Sequence, residues 1–286
     1  MRRRRTALPA LVVGAIALGA VLTSAPASAA TLGSTVPAAT AGEACTPGTR
    51  VFTPEAPPAL ALLGAEDANR VATGRGVVVA VVDSGIDAGN PHLAGVVIGG
   101  VDLVGDGERA DGLSDTTGHG TAIAGQIAAQ PVDGSGVVGL APDARLLSVR
   151  VFRSNQQQDK DKGFGPTSQR IADGIHWAAD NGADIINVSI SQETDSPDLR
   201  AAVEHASAVG ALVVASGGNR ASDPDAKDGA RYPAGYEQVL GVSAADASGR
   251  ANDASIHGPQ VGVTAPGMNV LLSLIHISEP TRPLYI

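Results

Sequence analysis

The segment Val77-Val78-Val79-Ala80-Val81-Val82 runs directly into Asp83-Ser84-Gly85. An unbroken apolar run rich in β-branched residues keeps no side for water, so it reads as a strand buried on both faces of a parallel sheet. Similar runs return at residues 146–152, 184–190, 211–215 and 239–243, with helix-like segments at 119–130, 168–181 and 196–209. Strands alternating with helices predict an α/β domain whose mostly parallel central sheet is covered on both sides. In such a sheet the loops beyond the carboxyl ends of the strands converge, so chemistry is expected there. Upstream, Leu60, Leu63, Ala65, Ala68 and Val71 are spaced for a helix that starts at Ala59 and ends at Gly74. Residues 156–165 are polar and glycine-bearing, which suits an exposed loop.

The 286 residues are 43% apolar and 17% charged, enough to bury a core. With the four arginines of residues 1–29 set aside, 16 basic residues face 29 acidic ones. That acidic balance argues against a nucleic-acid groove. Arg2 to Arg5, an apolar run over residues 8–22 and the exit Ala27-Ser28-Ala29 form a secretory signal pattern over residues 1–29. It predicts an exported protein, extracellular or in the cell envelope. The apolar run is short for a membrane span, and no later stretch is long enough to be one. Residues 30–57, rich in Ala, Thr, Pro and Gly, read as an extended arm. The folded domain is then 58–271. From Leu272-Ser273-Leu274-Ile275-His276-Ile277-Ser278 onward, residues 272–286 look like a translated sequencing adaptor and are set outside the fold. Cys45 is the single cysteine, with no partner for a disulfide in this chain.

Asp83 places a carboxylate at a strand's carboxyl end, beside a turn that an Asp could equally serve only to cap. Thr117-Gly118-His119-Gly120-Thr121-Ala122 sets an imidazole between two glycines at the start of a small-residue helix. Those glycines allow a tight turn and a close approach, and Gly125 lets the helix pack near the sheet. A proton-transferring imidazole needs an acid to fix its tautomer and a nucleophile to serve, and Asp83 can supply the first. Gly217-Gly218-Asn219 follows another apolar run and places an amide donor among the same strand-end loops. A turn residue tolerating a left-handed conformation is the plainer role for Asn219.

In this order the chain resembles the subtilisin-like serine peptidases. The residues that carry the resemblance are Val81-Val82-Asp83-Ser84-Gly85-Ile86, Gly118-His119-Gly120-Thr121, Val138-Gly139-Leu140-Ala141-Pro142, Ala215-Ser216-Gly217-Gly218-Asn219 and Ala265-Pro266-Gly267. The resemblance implies a three-layer fold and hydrolysis of peptide bonds through an acyl-enzyme, with an extended polypeptide as substrate. It implies that Asp83 orients the imidazole, that His119 is general base and then acid, and that Asn219 donates to the oxyanion. By the same resemblance, Ser189, Ile190 and Ser191 form the edge that pairs with substrate, although glycine is more usual at Ser191. Ser216, Gly217 and Gly218 would wall the pocket for the residue before the cleaved bond. The family's G-T-S-x-A-x-P segment, which carries the nucleophilic serine, does not follow Ala265-Pro266-Gly267 here. The expectation is therefore a fold incomplete at its C-terminus, inactive and poorly folded as written. The short arm, the acidic stretch from Gly105 to Asp115 and Val138 to Arg145 resemble the mycosins, membrane-anchored peptidases of type VII secretion. That implies the secretion machinery as partner and an anchor only beyond these residues. Mycosins place a cysteine near the His motif, where Thr116 and Thr117 stand here, leaving Cys45 without its expected partner.

A reading from a different class is a peptide-binding scaffold that keeps the groove without a nucleophile. A nucleotide-binding domain is set aside, because no glycine-rich phosphate loop follows the first strand. His92, His176, His205 and His257 lack metal-ligand spacing and are expected on the surface or on helices, so no metal is expected. Asp102, Asp106, Asp111 and Asp115 read as a solvated loop. Their spacing fits no EF-hand, and a structural calcium there is the one cofactor considered.

Overall fold

The computed structural model describes residue 52 and residues 54–220, 225–246 and 248–267. The signal pattern, Cys45 and the tail 272–286 lie outside the described residues. In chain order the elements are α1 (Pro58–Leu62), α2 (Ala65–Asn69), β1 (Val78–Asp83), a 3-10 turn at Pro91–Leu93 and β2 (Val97–Asp102). They continue with α3 (His119–Ala128), β3 (Arg145–Arg150), α4 (Gln157–Asp161), α5 (Ser168–Asp180) and β4 (Ile185–Val188). The last are α6 (Pro197–Ala208), β5 (Leu212–Ser216), β6 (Val239–Ala245) and β7 (Val263–Pro266).

The strands form one seven-stranded sheet in the order β2-β3-β1-β4-β5-β6-β7, and every neighbouring pair is parallel. β1 lies inside it, as its apolar run demands. Val79 and Val81 pack with Leu146 against Ile123, Ala124 and Ala128 of α3. Ala80 and Val82 turn to the other face and join Ile171 and Ile175 of α5 and Leu199 and Val203 of α6. The result is helix, sheet, helix, with two apolar cores. Each fully buried aliphatic side chain contributes about 1.5–3 kcal/mol, so the valine run is a main source of cohesion.

Two short helices replace the single one expected from Ala59. Gly64 sits at φ 63° as the N-cap of α2, a left-handed conformation that ends one helix and starts the next. α4 lies inside the polar stretch 156–165, which sequence spacing alone marks as loop. β2 escapes an apolar-run search because Gly99 and Gly100 interrupt it. A side chain at Gly100 would strike the carbonyl oxygens of Ser148 and Asp111, at 2.3 and 2.6 Å. β7 escapes too, being a four-residue strand, at the edge among the described residues, that ends in proline.

Candidate active site

β1 delivers Asp83 to its carboxyl end, fully buried. One carboxylate oxygen, Oδ1, accepts from the Ser84 backbone N–H at 2.7 Å and lies 2.6 Å from Nδ1 of His119. A carboxylate only accepts, so Nδ1 carries the proton and Nε2 is left as the basic nitrogen. The His119 side chain keeps 24% of its surface exposed. Burial acts to lower its pKa, but the charge of Asp83, its hydrogen bond and the more distant Asp115 outweigh this. The imidazole titrates above its ordinary 6.5.

His119 is the first residue of α3, and the helix must come very close to β1 to bring the ring there. Gly120 permits this: a Cβ at that position would lie 2.1 Å from the Gly85 carbonyl oxygen and 3.1 Å from Cβ of Asp83. Gly125 plays no such part, since a Cβ there would meet nothing within 4 Å.

Asp115 holds the approach in place. It accepts from the backbone N–H groups of Thr117, Gly118 and Thr121 at 3.1, 2.9 and 2.9 Å, and from Oγ1 of Thr121 at 2.6 Å. It also accepts from Ser84 Oγ at 2.9 Å, while Ser84 Oγ accepts from the Gly120 N–H at 3.0 Å. A negative charge among the free N–H groups of a helix start is favourable. The hydroxyl of Ser84 thus ties the turn after Asp83 to the helix that carries His119.

The acidic stretch is a loop with exposed residues, but Asp102, Asp106 and Asp115 face partners in the fold rather than water. Asp106 is buried and paired with Arg150 at 2.7 Å on both guanidinium nitrogens, and Arg150 also meets Asp102 at 3.0 Å. Arg150, at the end of β3, stands in register with both Asp83 and Asp102. The hydrogen bond from Arg150 outweighs burial and holds Asp106 below the ordinary carboxylate value of 3.8. Asp102 and Asp106 thus face a guanidinium, and only Asp111 fits the exposed, solvated description, paired with Arg109. The sequence clue to Asp115 is an acid just ahead of a helix start. Arg150 offers none beyond its place at the end of a buried run.

The other candidates fall on neighbouring strands. β4 lies beside β1 and β5 beside β4, with Val82 level with Val188 and Val188 level with Ala215. Residues 189–191 and 216–219 therefore emerge at the same edge as Asp83, within about 10 Å across the strands. Ile190 is buried in the core, and Asn187 Nδ2 donates to Ser189 Oγ at 2.9 Å. Beyond Ser191, Gln192 exchanges two backbone hydrogen bonds of 2.8 Å with Tyr232. Ser216, Gly218 and Asn219 line a pocket with Ser243, Asn252 and Ser255. Gln260 donates to the Gly217 carbonyl at 3.0 Å, and Asn219 pairs as an isolated bridge with Ser255.

The remaining histidines depart from expectation in two places. His92 is fully buried, with Nδ1 2.7 Å from the Gln130 carbonyl oxygen, rather than at the surface. His176 and His205 come together with Asp180, although they are far apart in sequence.

The parallel sheet joins an acid and an imidazole at its carboxyl edge, and comparison with known proteins gives the family. The subtilase family, Peptidase S8, matches residues 74–285, and the chain belongs to that family. It is similar to the major intracellular serine protease of Bacillus subtilis (strain 168), 35% identical over 202 residues, covering 70% of this chain and 61% of that protein. The chain thus spans about three fifths of that relative's length. Among solved structures it is similar to MycP1 with the N-terminal propeptide removed: TM-score 0.64, 31% identity, covering 76% of this chain and 71% of that one. It is also similar to the MycP3 protease from the type VII (ESX-3) secretion system: TM-score 0.64, 30% identity, covering 78% and 67%.

Proposed function

We propose that this chain is the acid- and base-bearing part of an exported serine endopeptidase that cuts extended polypeptides through an acyl-enzyme. The observation that carries this reading is the 2.6 Å bond between His119 Nδ1 and Asp83 Oδ1 at the sheet's carboxyl edge. Asp83 fixes the tautomer, leaving Nε2 of His119 to take the proton from a serine hydroxyl as its oxygen attacks the scissile carbonyl. The same proton then passes to the departing amine, and water repeats the cycle to release the acyl group. Among the described residues no hydroxyl bonds Nε2 of His119. The nucleophile is proposed to be a serine outside the motifs named above.

Asn219 is proposed as the oxyanion donor, which is worth about 3–4 kcal/mol of transition-state stabilisation. The substrate strand is proposed to pair with residues 189–191. Supporting this, Ser189, Ile190 and Ser191 make no backbone hydrogen bonds to other described residues and remain open to an added strand. Ser216, Gly217 and Gly218 would wall the adjacent pocket. The signal pattern supports an address outside the membrane or in the envelope, and the likeness to the MycP3 protease supports type VII secretion machinery as its partner.

The test is hydrolysis of a denatured protein by the product of the uninterrupted gene, purified and folded. Cleavage is expected, and His119→Ala should lower it by roughly 10⁶-fold. A folded product that binds extended peptides without cleaving them would replace the peptidase by the scaffold reading.

A further inference from the structure

We propose that His176, Asp180 and His205 form a zinc site that clasps α5 to α6 at the end of the domain opposite the catalytic pair. His176 and Asp180 are four residues apart on α5, which places them on one face of the helix. His205 projects from the last turn of the neighbouring α6. The two imidazoles stack with centroids 4.6 Å apart and planes 27° from parallel. Nε2 of His205 lies 2.7 Å from Oδ1 of Asp180, and one donor atom from each of the three residues lies within 4.8 Å of the others.

Two imidazoles and a carboxylate are a zinc donor set, with water completing a tetrahedron. Zinc bonds of about 2.0–2.2 Å put donor atoms about 3.3 Å apart, so the His205–Asp180 pair opens by less than an ångström as the metal replaces its proton. An ion pair alone accounts for His205 and Asp180 but gives the stacked His176 nothing to do.

The backbone supplies a second attraction. β4 and β5 are parallel, so the helices preceding them, α5 and α6, run in the same direction. Asp180 ends α5 and His205 lies in the last turn of α6, so both helices turn the negative ends of their dipoles toward the cluster. That field favours a cation. These ends lie just before β4 and β5 begin, at the amino edge of the sheet, whereas Asp83 and His119 sit at its carboxyl edge. The metal therefore has a structural role, resisting local opening of the α5 and α6 layer.

The folded product of the uninterrupted gene, stripped with chelator, is titrated with Zn²⁺ by calorimetry and with Co²⁺ by absorption spectroscopy. One ion per chain with a tetrahedral Co²⁺ spectrum is expected, together with a rise in Tm on adding Zn²⁺. His176→Ala, His205→Ala and Asp180→Asn should each weaken binding by about tenfold or more, and His257→Ala should not. His205→Cys should retain binding, because a thiolate also ligates zinc. Should a histidine variant fail to fold, Asp180→Asn, which keeps the side chain's size, decides. Absence of binding, or affinity unchanged in Asp180→Asn and both alanine variants, would overturn the proposal.

Discussion

Nδ1 of His119 lies 2.6 Å from Oδ1 of Asp83, a residue 36 positions earlier in the chain. Nothing local brings them together. β1 delivers one at its carboxyl end, α3 delivers the other at its first residue, and Ser84 with Asp115 ties the two elements at their meeting point.

Asp83 raises the basicity of His119 against the effect of burial, so the acid limb of kcat/KM in the complete enzyme should have its midpoint above 6.5. In Asp83→Asn that limb should move to lower pH, and the rate should fall by roughly 10⁴-fold. For stability the sign is the reverse of an acid's. A raised histidine contributes fully below its unfolded value of 6.5, and the contribution is lost as pH rises through the folded pKa. Urea unfolding across this range measures it.

Gly120→Ala places a methyl 2.1 Å from the Gly85 carbonyl oxygen, so α3 must retreat from β1. The expected cost is about 1–3 kcal/mol in urea unfolding, with loss of activity. Gly125→Ala, on the same helix with open space around it, should be neutral or stabilise by up to about 1 kcal/mol.

Arg150→Met removes the cation that Asp106 and Asp102 share, leaving Asp106 only the more distant Arg153 at 3.5 Å. Both Arg150 and Asp106 are fully buried as a pair, so the loss should be about 3–5 kcal/mol. The depressed Asp106 contributes stability that is fully present above its unfolded value of 3.8 and lost as pH falls through the lower folded pKa. Acid unfolding of the wild type should show this loss below 3.8, and Arg150→Met should lack it.

Asp115→Ala removes the acceptor at the start of α3 and should cost about 1–2 kcal/mol. Asp115→Asn keeps an acceptor but not the charge. Its amide nitrogen would face donors that now bond a carboxylate oxygen, so it should lose part of the same stability, and it should also shift the His119 titration downward, because Asp115 helps to raise it. NMR titration of the imidazole separates the two effects.

The sheet was legible where burial leaves no choice. A run such as Val77 to Val82 has one stable place, inside a parallel sheet, and the residue that follows must emerge at its carboxyl edge. β2 was hidden because close approach to Ser148 and Asp111 requires glycine where apolar residues would have announced a strand. Asp83 and His119 could be named because each stands in a motif tied to its element. Asp115 and Arg150 could not, since their roles depend on what folding places opposite them, and charge alone made their surroundings look solvated. The pairing of His176 with His205 was out of reach for the same reason, being a product of two helices packing side by side.

The most direct test of the central claim is covalent labelling of the complete gene product by a serine-directed phosphonate, followed by mass spectrometry. Stoichiometric attachment to one serine that collapses in both His119→Ala and Asp83→Asn is the predicted result. A folded wild-type product left unlabelled, or labelled equally fast in both variants, would contradict it.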